Sequence, residues 1–217
     1  MTREINWFAS QAGQSLVAQA MQQAEPFLWP LCGHNALLLQ PDACISAVPR
    51  LQCAPVTRLY RRGSLLAGDF IADDRFMPVS SDCVSLVYAA FVLESSESPE
   101  RLIAESERLL VSEGHLGLLT LNPFGMHRLS GDWRGLALRT RQQWSDCLQQ
   151  AGLEVIRHES LGPLWAGPQI KTSPAFFPRP RALRSVNFLL AKKRKAALTP
   201  IRKTANAVAL ARESTHA

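Results

Sequence analysis

Val84-Ser85-Leu86-Val87-Tyr88-Ala89-Ala90-Phe91-Val92-Leu93, then Ser98-Pro99-Glu100-Arg101-Leu102-Ile103, then Gly114-His115-Leu116-Gly117-Leu118-Leu119-Thr120-Leu121 is the stretch whose reading decides the fold. The first run has the β-branched and aromatic enrichment of a central strand. Ser98 as N-cap, Pro99 at the first helical position and Glu100 near the positive end of the dipole predict a helix. Its apolar face is Leu102, Ile103, Leu109 and Leu110, with Arg101, Glu105, Glu107 and Arg108 left for water. Gly114 is the expected helix stop, and His115 to Leu121 reads as a second buried strand closed by Asn122-Pro123. Strand, helix and strand in this order make a unit of parallel-sheet type.

Toward the N-terminus, Ile5, Phe8, Ala12, Leu16, Ala20 and Ala24 recur at helical spacing, so the spacing predicts an amphipathic helix ended by Pro26 and Pro30. Ala36-Leu37-Leu38-Leu39 before Pro41 is a short, fully apolar strand. Weaker strands are expected at Val56 to Tyr60 and at Leu65 to Ala72. Toward the C-terminus, Thr140 caps an expected helix through Ala151 that presents Trp144, Cys147 and Leu148, and Gly152 stops it. Strands follow at Leu153 to His158 and Val186 to Ala191. Five prolines and three aromatics between Gly162 and Pro180 predict a long ordered loop. The pattern is that of an α/β doubly wound sheet over residues 1–195, with an N-terminal helix in 1–30, a Pro-rich loop at 162–181 and a basic tail at 196–217. Ligands of such sheets lie at the carboxyl ends of the strands.

The 217 residues carry 24 Lys and Arg against 18 Asp and Glu. From Arg179 onward ten basic residues face one acid, a balance of +9, which leaves the first 178 residues with 14 basic and 17 acidic side chains, or −3. The charge therefore bears on the tail and not on the body. Lys192-Lys193-Arg194-Lys195 would neutralise phosphates without reading sequence, so residues 192–212 are a candidate arm for nucleic acid or an acidic partner; a solvated tail explains them equally. No apolar run reaches the length of a membrane helix, and Met1 to Trp7 has no secretory pattern, so a soluble cytoplasmic protein is expected. The five cysteines show no zinc spacing and read as free thiols, with no metal expected.

Ala72-Asp73-Asp74-Arg75-Phe76-Met77-Pro78-Val79, Asp82-Cys83-Val84-Ser85-Leu86-Val87 and Val92-Leu93-Glu94 resemble the middle of the type-11, class I S-adenosylmethionine-dependent methyltransferases, whose pattern there is roughly D-A-x-x-L-P-F, S-F-D-x-V and x-L-E-H. The likeness runs on through Glu105, Arg108-Leu109-Leu110 and Glu113-Gly114 to Pro123. Gly33-His34-Asn35-Ala36-Leu37 and the basic Thr199-Pro200-Ile201-Arg202 end look similar to a short proteobacterial branch of that family. The resemblance implies a Rossmann-like sheet whose last strand is antiparallel, S-adenosylmethionine as methyl donor and an unidentified acceptor. It implies that the Asp73 carboxylate accepts from the adenine amino group and that the Asp74 N–H meets the ring. Phe76 and Met77 would wall the adenine slot, and Ala89, Ala90 and Phe91 would border the methionine. Gln40 and Asp42, in the turn after the first strand, complete the implied cofactor set. His127 and Trp133 lie where an acceptor pocket is expected. That turn has no glycine, although the family's turn is glycine-rich so that backbone can approach the ligand. Around Leu59-Tyr60-Arg61-Arg62 no acid stands ready for the ribose hydroxyls. A fold that has lost its cofactor and acts as a binding or scaffold protein is therefore the alternative.

Overall fold

The computed structural model describes residues 7–125, 133, 136–163 and 183–194. Helix α1 spans Gln11–Leu28, followed by β1 (Cys32–Gln40), β2 (Gln52–Arg62), β3 (Leu65–Gly68), β4 (Ala72–Asp73) and β5 (Val84–Ala90). Then come α2 (Pro99–Leu109), β6 (Leu110–Leu121), α3 (Arg141–Gln150), β7 (Leu153–Leu161) and β8 (Val186–Lys193). All eight strands form one sheet in the order β4-β3-β2-β1-β5-β6-β8-β7. Strands β2, β1, β5 and β6 are parallel, while β3, β4 and the late-inserted β8 run antiparallel to their neighbours.

The parallel strands are apolar on both faces because both are covered. Leu38, Leu86, Tyr88, Leu119 and Phe188 pack under α1 through Leu16, Val17, Met21 and Leu28. Leu39, Val87, Leu116, Leu118 and Leu189 pack under α2 and α3 through Leu102, Ile103, Trp144 and Leu148. The helix expected from Ile5 begins at Gln11 instead, because the Ser10 side chain caps it by accepting the Gly13 N–H at 3.1 Å. It also runs through Pro26. The missing N–H there costs one bond, and the buried Leu28 with the Trp29 N–H on the Glu25 carbonyl at 2.8 Å closes a further turn. Helix α2 starts at Pro99 as expected but ends at Leu109, before Gly114, since Leu110 already turns extended and pairs with Val84. The Thr140 capping box forms at α3.

Two connections depart from the doubly wound expectation. No helix lies between β1 and β2, where residues 41–51 cross as a loop, and β2 returns to β3 through a tight turn at Gly63, whose φ is +63°. Among the described residues no helix is long and apolar enough to cross a membrane. The Pro-rich loop beyond Pro163 and the tail from 195 lie outside the described residues.

Gly33 shows how tightly the start of the sheet is built. A Cβ there would stand 2.3 Å from the Ser85 Cβ, and the Ser85 hydroxyl accepts the His34 N–H at 3.0 Å. Gly33→Ala is expected to lower stability by about 1–3 kcal/mol, with most of it restored when Ser85→Gly is added, measured by urea denaturation.

Candidate functional site

The chain leaves β1 toward β2 on one side and, later, toward β5 on the other, so the topological switch point lies above the carboxyl end of β1. Gln40 is the last β1 residue and pairs with Tyr60; Arg61 therefore stands one step above the end of β1. Its guanidinium crosses the crevice. Nη1 donates to Asp74 Oδ1 at 2.7 Å and to the Ser64 carbonyl at 3.3 Å, and Nη2 donates to the Val92 carbonyl beyond β5 at 3.4 Å. The ion-pair side chains are 5% and 8% exposed. Ser96 completes the cluster by donating its hydroxyl to Asp74 Oδ2 at 2.5 Å. Removing these charges from water is costly, and the several hydrogen bonds offset that cost.

The other implied residues sit around this bridge. Gln40 is buried; its Nε2 donates to the Ala47 carbonyl at 2.9 Å and its Oε1 accepts from Arg58 at 3.1 Å, which folds loop 41–51 onto the end of β1. Pro41 offers no N–H. Asp42 Oδ1 accepts the Cys44 N–H at 2.8 Å in a local turn. Asp73 is exposed, and its Oδ1 accepts the N–H groups of Arg75 and Phe76, the latter at 3.1 Å. Phe76 is also exposed, with the Arg108 guanidinium 5.9 Å from its ring centre, while Met77 is fully buried. Glu105 and Arg108 of α2 clamp this segment: Glu105 accepts the Met77 N–H at 2.7 Å and Arg108 donates to the Val79 carbonyl at 2.9 Å. Ala90 is buried. Phe91 has a φ of +53°, a left-handed conformation strained for a bulky residue, and its ring packs on Phe8 at 5.7 Å. Trp133 packs edge-on against Trp7 at 5.8 Å. His127 lies outside the described residues.

The structure thus brings Asp73 and Asp74 together, beside a cleft of about 200 Å³ lined by Ser64, Leu65, Arg75, Glu97 and Ser98. It does not bring Gln40, Asp42, Phe76, Ala90 or Phe91 into that cleft. The residue missed in the sequence is Arg61. Its signal was a cation standing where an acid was sought, 13 residues before Asp74. Among the described residues no group of three His, Cys, Asp or Glu side chains could hold a metal ion.

No protein-family model matches the chain, and no curated protein matches it in sequence. Solved structures do. The complex between the Haloferax volcanii Trm112 methyltransferase activator and its methyltransferase aligns with a TM-score of 0.62 at 13% identity, over 90% of this chain and 100% of that one. An S-adenosylmethionine-dependent methyltransferase from Listeria monocytogenes aligns at 0.57 with 14% identity, over 83% and 100% of the two chains. The fold is that of the class I S-adenosylmethionine-dependent methyltransferases. The same methyltransferase fold is shared by the [4+2]-cyclase SpnF, at a TM-score of 0.53 and 16% identity over 85% of this chain and 82% of that one.

The implied S-adenosylmethionine position is lined differently in this version of the fold. The turn after β1 carries the Gln40 side chain, whose Nε2 reaches the Ala47 carbonyl, Arg61 reaches across to Asp74, and the cleft at Asp73 has a volume of about 200 Å³.

Proposed function

We propose that this chain is a non-catalytic member of the methyltransferase fold, a cytoplasmic binding or scaffold protein. The observation that carries this reading is the buried Arg61 bridge from β2 across the switch point to Asp74 and the Val92 carbonyl. A fold assigns no chemistry by itself, and the SpnF neighbour carries the name of a different activity. The proposed scaffold does not use Lys192-Lys193-Arg194 as a nucleic-acid arm. Lys192 pairs with Glu113 at 2.6 Å, Arg194 with Glu154 at 2.6 Å, and buried Lys193 donates to Asp82 and to the carbonyls of Glu107 and Leu110.

A second reading, methyl transfer from S-adenosylmethionine to an unidentified acceptor, draws on the Asp73–Asp74 cleft and on the methyltransferase neighbours. Calorimetric titration of the full chain with S-adenosylhomocysteine decides between them. The scaffold reading expects no saturable binding at millimolar ligand. Saturable binding that is weakened by Asp73→Ala would overturn it in favour of methyl transfer.

A further inference from the structure

The turn that follows β5 carries a second buried acid, which the Arg61 bridge does not use. Glu94 is 2% exposed. One carboxyl oxygen accepts the Leu121 N–H at 2.6 Å, the other has no hydrogen-bond partner, and the Glu94 backbone carbonyl accepts the Ala137 N–H at 2.9 Å. One residue therefore ties the end of β5 to the end of β6 and to the segment that leads into α3. The same short turn holds the crevice shut, because the Val92 carbonyl receives Arg61 and the Ser96 hydroxyl reaches Asp74.

Among the described residues no cation is bonded to Glu94. Arg61 from β2 is committed to Asp74. Arg139, ahead of α3, is paired with Glu100 at 2.5 Å. Glu97 on the turn itself is exposed and acidic. Thr120 and Asn122, which flank Leu121 on the β6 side, are neutral. An oxygen without a partner in such surroundings is tolerable in a neutral carboxyl and expensive in a carboxylate.

We propose that Glu94 is a proton-operated latch on the crevice: neutral, it fastens the turn after β5 to β6, and loss of its proton to solvent releases that turn together with the Arg61–Asp74 bridge. The latch rests on the reading of Arg61 as the occupant of the crevice. Burial pushes the Glu94 carboxyl up to about 7, against the opposing pulls of the Leu121 N–H and of Glu94's own backbone N–H. The latched form keeps its proton until that pH, whereas an opened, hydrated form gives it up near 4.5. Opening therefore becomes easier by up to about tenfold per pH unit between these values and levels off above them.

Amide hydrogen exchange on the full chain, with rates divided by their intrinsic values, tests this at pH 5 and pH 8. The Leu121, Ser96 and Phe91 amides are expected to lose protection on the order of fiftyfold between the two. The Leu38 and Leu39 amides of β1 should stay better protected throughout. Glu94→Gln keeps an oxygen for the Leu121 N–H but has no proton to lose, so its protection should not change with pH. An equal pH response in the parent and the Gln variant overturns the latch, and so does loss of protection at Leu38 and Leu39 to the same level. S-adenosylhomocysteine binding at pH 5 would instead overturn the crevice reading and leave the Glu94 response as its own result. Binding that appears only at pH 8 in the parent supports the latch.

Discussion

Arg61→Ala is expected to lose about 3–5 kcal/mol of unfolding free energy, measured by urea denaturation near neutral pH, because it leaves the Asp74 carboxylate buried without its cation. The size of the loss comes from what remains and not from the intrinsic strength of the pair. Asp74 would keep only the Ser96 hydroxyl and would have to draw water into a cluster that is now closed. The paired replacement Arg61→Met with Asp74→Leu removes both charges and should recover most of the stability, giving a double-mutant coupling of several kcal/mol. A single-variant cost below about 1 kcal/mol would mean that the pair is hydrated like a surface bridge and that the crevice is open.

Stability should also fall with rising pH in a window where most proteins gain it. The folded pKa of Glu94 is raised from 4.5 to about 7, so the folded chain binds more protons than the unfolded one between those values. Its contribution is complete below pH 4.5 and is lost as the pH climbs through 7, a change of about 3 kcal/mol. His115 acts in the opposite sense. Burial first, and the nearby Lys192 second, lower its pKa, so stability from that site rises as pH passes up toward its ordinary value of 6.5. The two contributions overlap, and comparison with Glu94→Gln isolates the first. Chemical denaturation at half-unit pH steps should show the descending component in the parent chain and its absence in the variant.

The unit from Val84 to Leu121 was legible because three signals agree there: an apolar run, a Pro-led helix start and a second apolar run. The antiparallel β8 followed from the family likeness. The antiparallel turn from β2 to β3 was not foreseen, since Val56 to Tyr60 and Leu65 to Ala72 read alike whichever way they run, and only Gly63 marks the tight reversal. Asp73 and Asp74 were found by pattern, but their partners were not, because Arg61 and Ser96 are 13 and 22 residues away from Asp74 and meet it only through the sheet. Glu94 was visible as part of a motif. Its burial was not, since nothing in Val92-Leu93-Glu94 tells which oxygen Leu121 will take.

The place of β8 has a consequence for how the chain is made. Strand β8, the last among the described residues, is inserted between β6 and β7, and Lys193 at its end locks onto Asp82 and the carbonyls of Glu107 and Leu110. During synthesis the N-terminal strands and α2 emerge first, yet β6 has an unpaired edge and β7 has no neighbour until Val186–Lys193 arrives. The nascent protein therefore exposes an apolar strand edge on β6 from the emergence of Leu121 until Val186–Lys193 follows.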